Sequence, residues 1–269
     1  MELEKRHTLI KEWLAVIKDF IIKELNKERI IERKSHWNDL VTDVDILIEN
    51  YLIKQIEIHF PGELILGEET ADTRIAMNQI NIEEERLWII DPLDGTLNFI
   101  TSQKDYAVLI AYYEKGIGQA GYIMDMNSYD VYHAFHNQGV YKNDQTFQLK
   151  NSDAQLYEGF VAFNSKVVYL ERYEKIRQIG KKCLGVRGTG SAGLEAVNLL
   201  NQYTVAYLSS SLMPWDIGAA TILLEEAGLK SSDFEGRDLK LTGSSSVIYA
   251  YPSSFNEIHH HLKNEKNEQ

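Results

Sequence analysis

The sequence predicts a layered protein of mixed α+β and α/β character, and three observations predict it. Two amphipathic helical patterns open the chain, strand-like segments divided by short turns follow, and from about residue 150 short strands alternate with helices. The 269 residues suffice for a sizeable core, either as one large domain or as two layers of about half that size. Residues 1–145 read as an N-terminal α+β layer and residues 146–269 as a C-terminal α/β layer. No repeat or low-complexity linker divides them, so tight packing as one unit is expected.

Over residues 3–27, Ile10, Leu14, Ile17, Ile21 and Leu25 recur at steps of three and four, the spacing of a helix with one apolar face. Asp43 is the expected cap of a second helix whose apolar face is Val44, Leu47, Ile48, Tyr51, Leu52 and Ile56, closed by Pro61-Gly62. Strands are expected at 64–67, 87–90, 106–113, 117–124 and 130–136, with turns as short as Lys115-Gly116, which suggests an antiparallel meander packed on the two helices. Beyond residue 150 come "GFVAF" (159–163), a helix near 168–180, a Gly-rich link at 185–193, a helix at 192–202, "TVAYL" (204–208) and a helix from Pro214. The tail "HHHLKNEKNEQ" reads as a solvated helix end, because successive helical positions point in different directions.

Composition is that of a soluble globular protein, 44% hydrophobic and 25% charged. A net charge of −12 without a compensating basic run argues against nucleic acid or an anionic membrane as the main partner. Cys183 is the single cysteine, so neither an intrachain disulfide nor a cysteine-based metal site can form, which points to the cytoplasm. The charged N-terminus lacks the apolar core of a signal peptide, and the segment Trp13 to Ile22 is broken by Lys18 and Asp19, so no export and no membrane span are expected.

Chemistry concentrates in "WIIDPLDGTLNFI" (88–100). Pro92 cannot donate to a ladder, so the strand is expected to end at Asp91; Gly95 permits a tight turn and Thr96 can start a helix whose first N–H groups lack partners. Carboxylates beside backbone donors suit a Mg²⁺ ion and a phosphate together. Asp91 as a turn former and Asp94 as a helix cap fit the residues alone equally well. Three further segments share this grammar: "LGEET" (66–70), "PWDIGAATILLEEAG" (214–228) and "NDLVTDVD" (38–45), which place Glu68, Asp216, Asp43 and Asp45 at junctions with helices or loops. Each of these also has a structural reading as loop acid or helix-dipole complement. Two such charges about 4 Å apart repel by roughly 4 kcal/mol at an effective dielectric of about 20, so their convergence requires bound cations.

Together "KSHWNDLVTDVD", "LGEET", "WIIDPLDGTLNF" and "PWDIGAATILLEEAG", in this order, resemble the blocks of the inositol monophosphatase family, Mg²⁺-dependent and lithium-sensitive phosphatases, over about residues 34–228. The resemblance implies an αβαβα sandwich, usually a homodimer, that hydrolyses a small phosphate ester. It implies two or three Mg²⁺ per site, Mn²⁺ as a possible substitute, and Li⁺ and Ca²⁺ as inhibitors. Carried over residue by residue, Glu68, Asp91 and the Leu93 carbonyl would hold a first metal and Asp91, Asp94 and Asp216 a second, with Glu68 sharing a third whose waters contact Asp45. Gly95 and Thr96 would offer N–H groups to the phosphate. "GTGSAGLE" (188–195) would place Gly190, Ser191 and Ala192 near the alcohol portion, beside Asp94 and Asp216, and Lys34 matches a basic residue near the metals. The implied chemistry is direct in-line attack by a metal-activated water, with Thr96, hydrogen-bonded to Asp45, orienting that water or taking its proton.

Where members acting on inositol phosphate carry a glutamate seven residues before the late aspartate, this chain has Ser209, shorter and uncharged. Inositol-1-phosphate or a related polyol phosphate therefore shares the field with the 2′-phosphate of NADP(H), fructose 1,6-bisphosphate and nucleotide 3′-phosphates. Two rivals remain. One is an aspartyl-phosphate phosphatase of the haloacid dehalogenase class using the D-x-D at Asp43; the other is a non-catalytic regulator that binds a partner protein.

Overall fold

The structure, a computed structural model, describes residues 2–25, 31–33, 40–70 and 80–264. Helix α1 (Glu2–Glu24) buries Ile10, Leu14, Ile17 and Ile21, as the periodicity predicts, and Trp13 besides, while Leu25 lies just past its end and is half-buried. It also buries Arg6, whose guanidinium lies 4.0 Å from the Phe60 ring centroid and 3.9 Å from that of Tyr112 and donates to both oxygens of Glu63 at 2.7 and 2.5 Å. Burial of this charge is offset by a bidentate partner and two aromatic faces.

A two-stranded ribbon, β1 (Ile31–Arg33) and β2 (Leu40–Thr42), leads into α2 (Asp43–His59). The cap is Thr42 rather than Asp43: Thr42 is extended, at φ −113° and ψ 163°, and Asp45 at the third helical position reaches back to accept the Thr42 N–H at 3.0 Å. That is the carboxylate half of a capping box. The buried face also differs from the expected one. Leu47 is 52% exposed, whereas Asp45 and Glu49, four residues apart and so on one side of the helix, are buried among Val44, Ile48, Leu52 and Ile56.

The larger sheet has the order β3 (Leu64–Gly67), β4 (Arg86–Asp94), β5 (Ala107–Glu114), β6 (Ile117–Asp125), β7 (Val131–Phe135), β8 (Gly139–Lys142), β9 (Gln145–Phe147). From β4 onward it is the expected antiparallel meander, while β3 runs parallel to β4. Along β4, Trp88 and Ile90 join the core under α1 and α2, and Leu87 and Ile89 join the core on the opposite face, the alternation of a strand covered on both sides. The strand does not stop at Asp91. Pairing with β5 resumes at Asp94, and Pro92 falls inside the register shift, where its missing N–H costs no ladder bond. A short helix, α3 (Thr96–Thr101), follows.

The second half supplies β10 (Phe160–Phe163), α4 (Ser165–Tyr169), α5 (Glu174–Gln178), β11 (Gly185–Arg187), α6 (Ala192–Leu200), β12 (Thr204–Leu212), α7 (Pro214–Glu226), β13 (Lys230–Ser232), β14 (Ser245–Ala250) and α8 (Pro252–Asn264). Its mixed sheet has the order β11-β10-β12-β14-β13. The single helix expected near 168–180 is broken into α4 and α5, joined and followed by 3₁₀ turns. Leu170 is extended at the break, and Arg177 Nη1 donates to the freed carbonyls of Val167 and Leu170 at 3.1 and 2.6 Å. Of the terminal histidines expected to be solvated, His261 is instead buried and its Nε2 lies 3.1 Å from the Lys175 carbonyl.

Helices α6 and α7 lie between the sheets: α7 packs on β4 to β7 and on β13, α6 on β5, β6 and β12. With α1 and α2 outside the larger sheet, and α4 and α8 against the smaller one, the layers read αβαβα.

Candidate active site

The site forms where the ends of β3 and β4 meet the N-termini of α2, α3, α6 and α7. Parallel pairing sets Gly67 beside Ile90, so Glu68 leaves β3 next to Asp91 at the same edge of the sheet. Asp91 is buried; its Oδ1 accepts the Leu93 N–H at 3.0 Å across Pro92, and its Oδ2 has no hydrogen-bond partner among the described residues. Gly95 turns the chain at φ 99°, a conformation that strains any side chain, and a Cβ there would meet the Asp105 carbonyl at 3.0 Å.

Asp94 points to the start of α6. Its Oδ2 accepts from Ser191 Oγ and from the Gly193 N–H, both at 2.6 Å, and its Oδ1 from the Ala192 N–H at 3.2 Å. Ser191 is also the N-cap of α6, accepting the Leu194 N–H at 3.2 Å. Asp216 occupies the first turn of α7 and accepts the Met213 N–H at 2.7 Å. Asp45, at the start of α2, receives Thr96 Oγ1 at 3.1 Å, and the same hydroxyl lies 3.1 Å from the Leu93 carbonyl.

One carboxylate oxygen from each of Asp91, Asp94 and Asp216 lies within 4.8 Å of the others. Burial, joined by the charges of Glu68, Asp94 and Asp216, raises the Asp91 carboxyl well above its ordinary value. Burial followed by Asp94 and Glu68 does the same to Asp216, and burial raises Asp94 against its three hydrogen bonds. Such mutual repulsion, together with an unpartnered buried carboxylate oxygen, fits a divalent cation held by oxygen ligands.

Of the residues singled out by sequence, Asp45, Glu68, Asp91, Leu93, Asp94, Gly95, Thr96 and Asp216 meet here, and Lys34 lies outside the described residues. Gly190 and Ala192 line the adjoining cleft of about 530 Å³, whereas the Ser191 hydroxyl turns inward onto Asp94. Sequence reasoning missed Glu49, whose Oε2 accepts the Glu69 N–H at 2.9 Å and so props the turn that carries Glu68. It also missed Glu195, which accepts the N–H and hydroxyl of Thr189, and Asn98, whose Nδ2 donates to the carbonyls of Asp105 and Thr189, each at 2.7 Å. Both stand inside the quoted motifs without an assigned role. Arg187 lines the cleft, and the charge of Lys166 acts on Asp216.

A model of the inositol monophosphatase family matches residues 2–267. This chain belongs to that family. Inositol-1-monophosphatase of Bacillus subtilis is 34% identical over 248 residues, 91% of each chain. Nus factor SuhB of Escherichia coli K12 is 31% identical over 77% of each. A crystal structure of an IMPase/NADP phosphatase with Mg²⁺ and phosphate superposes with a TM-score of 0.86 at 25% identity, covering 97% of this chain and 96% of that one. The chain is accordingly a phosphoric monoester hydrolase of a metal-dependent family, and the aspartyl-phosphate reading of Asp43 gives way.

Two tests arise from the geometry. A Cβ on Gly193 would lie 3.0 Å from Asp94 Oδ2 and 2.8 Å from Leu109 Cδ1, so Gly193→Ala should push Asp94 aside and raise the Mg²⁺ concentration for half-maximal activity about tenfold or more, read from metal titrations of turnover. The raised carboxyls also couple stability to pH. Groups that bind protons more tightly folded than unfolded stabilise the metal-free fold in acid, so its melting temperature should fall as pH rises above the ordinary carboxylate range toward the raised values. Added Mg²⁺ should reverse that loss near pH 7.5, as heating EDTA-treated protein with and without the ion would record.

Proposed function

We propose that the chain is a Mg²⁺-dependent phosphatase of a small polyol phosphate of the inositol-1-phosphate type, working by direct in-line attack of water. The observation that carries the reading is the convergence of Asp91, Asp94 and Asp216, with Glu68 acting electrostatically on two of them, beside a cleft of about 530 Å³. In this reading Glu68, Asp91 and the Leu93 carbonyl would hold one Mg²⁺, Asp91, Asp94 and Asp216 another, and Glu68 would share a third on the Asp45 side. When bound, these ions neutralise phosphoryl oxygens, acidify water and stabilise the departing alkoxide.

The chain's own groups position the reactants. Gly95 and Thr96 at the start of α3 offer N–H groups to the phosphate. Thr96 Oγ1 takes a proton from the attacking water while passing its own to Asp45 Oδ1, 3.1 Å away; burial of Asp45 raises its carboxyl and so makes it a better proton acceptor. Glu195 and Asn98 fix the 188–190 loop, and Gly190 and Ala192 border the alcohol portion. A second reading, a substrate with another anionic group such as NADP(H), is favoured by Arg187 at the cleft and by the dual activity in the name of the IMPase/NADP phosphatase. We place the enzyme in the cytoplasm as a homodimer, inhibited by Li⁺ and Ca²⁺.

A panel of phosphomonoesters assayed for released phosphate with Mg²⁺, with and without Li⁺, tests this. Preference for inositol-1-phosphate supports the first reading and preference for the NADP(H) 2′-phosphate the second. Inertness toward every ester alongside firm Mg²⁺ binding would favour a regulator, in line with the similarity to a Nus factor.

A further inference from the structure

We propose that His7, His133 and Asp144 form a second metal site, separate from the carboxylate cluster, that takes a divalent transition ion of the Zn²⁺ class. His7 lies in α1 and His133 in β7, and Asp144 lies in the tight turn between β8 and β9. Asn143 and Asp144 have φ values of 48° and 64°, the left-handed pair of a two-residue hairpin turn, which fixes where the Asp144 carboxylate projects. Its Oδ1 is 3.5 Å from His7 Nε2 and 4.0 Å from His133 Nε2, and one ligand atom from each residue lies within 4.8 Å of the others. Ligands of a tetrahedral Zn²⁺ held at about 2.0–2.1 Å stand roughly 3.3 Å apart, so small side-chain rotations close the triangle.

The surroundings hold these atoms in ligand orientation. His7 Nδ1 pairs with the Tyr122 hydroxyl at 3.1 Å, which directs Nε2 toward Asp144. Lys11 binds the other carboxylate oxygen, Oδ2, and leaves Oδ1 facing the imidazoles. The His133 ring lies between Tyr141 and Tyr122, at interplanar angles of 9° and 16°, so its plane is fixed before any ion arrives.

His133 is also costly as it stands. Only 2% of it is exposed, its Nδ1 has no hydrogen-bond partner among the described residues, and its Nε2 is 4.0 Å from Asp144 Oδ1. An unsatisfied buried Nδ1 is a cost, and Nε2, the nitrogen on the Asp144 side, lies beyond hydrogen-bond reach of that carboxylate and is placed to meet an ion. Burial lowers both histidines, His133 to about 4, which leaves neutral rings with lone pairs to give, while the Lys11 hydrogen bond holds Asp144 ionised. Imidazole nitrogens with one carboxylate select Zn²⁺ or Co²⁺ over Mg²⁺, the reverse of the oxygen-only cluster. The His7 and Asp144 side chains are 24% and 47% exposed, so solvent reaches the rim and water can complete the coordination. A bound ion would clip α1 to the far strands of the larger sheet.

The test is a Co²⁺ titration of the full chain in saturating Mg²⁺, followed by visible absorption, with Zn²⁺ as competitor. One Co²⁺ per chain, displaced by Zn²⁺ and indifferent to Mg²⁺, is expected. Asp144→Asn, which keeps a residue tolerant of left-handed backbone, and His7→Gln should each weaken binding about tenfold or more and abolish a Zn²⁺-induced rise in melting temperature, with Mg²⁺-dependent turnover unchanged. Asp94→Asn, which disrupts only the carboxylate cluster, should bind Co²⁺ like the parent. Absence of a Co²⁺ band in excess Mg²⁺, or affinity in both variants equal to that of the parent, overturns the site while leaving the phosphatase reading untouched.

Discussion

Asp91→Asn should abolish phosphate release and, in the same protein, raise the melting temperature measured without metal. Asp91 is buried with Oδ2 unpartnered and with Glu68, Asp94 and Asp216 all acting to destabilise its charge. In the empty pocket that charge opposes folding, so an uncharged amide of the same shape removes repulsion and should stabilise by about 1–3 kcal/mol, or roughly 2–5 °C for a chain of this size. The same change removes a residue proposed to contact both of the first two ions. Turnover should fall by at least about 10³ and Mg²⁺ should lose its stabilising effect. Paired calorimetry and phosphate assays check both signs. A variant less stable than the parent without metal would mean that the cluster is a satisfied hydrogen-bond network and not a site held open for cations. This opposition of stability and activity is characteristic of a site assembled for its ligand.

Thr96→Val should lower kcat by about 10²–10⁴ while changing the Mg²⁺ requirement little. Valine keeps the shape and loses the hydroxyl that joins Asp45 Oδ1 to the site and also touches the Leu93 carbonyl. Thr96→Ser should recover most of the loss, since it restores the proton path. Steady-state kinetics at saturating Mg²⁺, with metal titrations of each variant, separate the proton role from a metal role. Equal losses in valine and serine variants would show that Thr96 acts through packing alone.

The chemistry at the end of β4 is legible because its motif is local. Gly95 specifies the turn and sets Asp91 and Asp94 beside it, although Pro92 suggests a strand exit three residues too early, and the partner strand that delivers Glu68 shows the same apolar run followed by glycine and acids. What sequence could not supply is whatever depends on distant partners. Asp45 and Glu49 lie on the buried side of α2 because Thr42, Thr96 and the turn at Glu69 receive them there, whereas apolar periodicity assigns Leu47 to that face. Ser191 serves Asp94, 97 positions earlier in the chain, and no local signal marks that pairing.

The misread elements have the same origin. Pro92 sits within the strand because a register shift removes the need for its N–H. The helix near 168–180 breaks because Arg177 receives the carbonyls released at Leu170. In both places a tertiary hydrogen-bonding solution replaces the one that local propensity anticipates. The His7, His133 and Asp144 cluster is the extreme case, since its members are spread over α1, β7 and a hairpin turn and share no motif.

The most direct measurement is the rate of phosphate release from inositol-1-phosphate by metal-stripped protein as free Mg²⁺ is raised from nothing. Convergence of Asp91, Asp94 and Asp216 on catalytic cations requires no detectable turnover at the start and a saturable rise as the ion is added. Hydrolysis that proceeds at full rate in EDTA would contradict it.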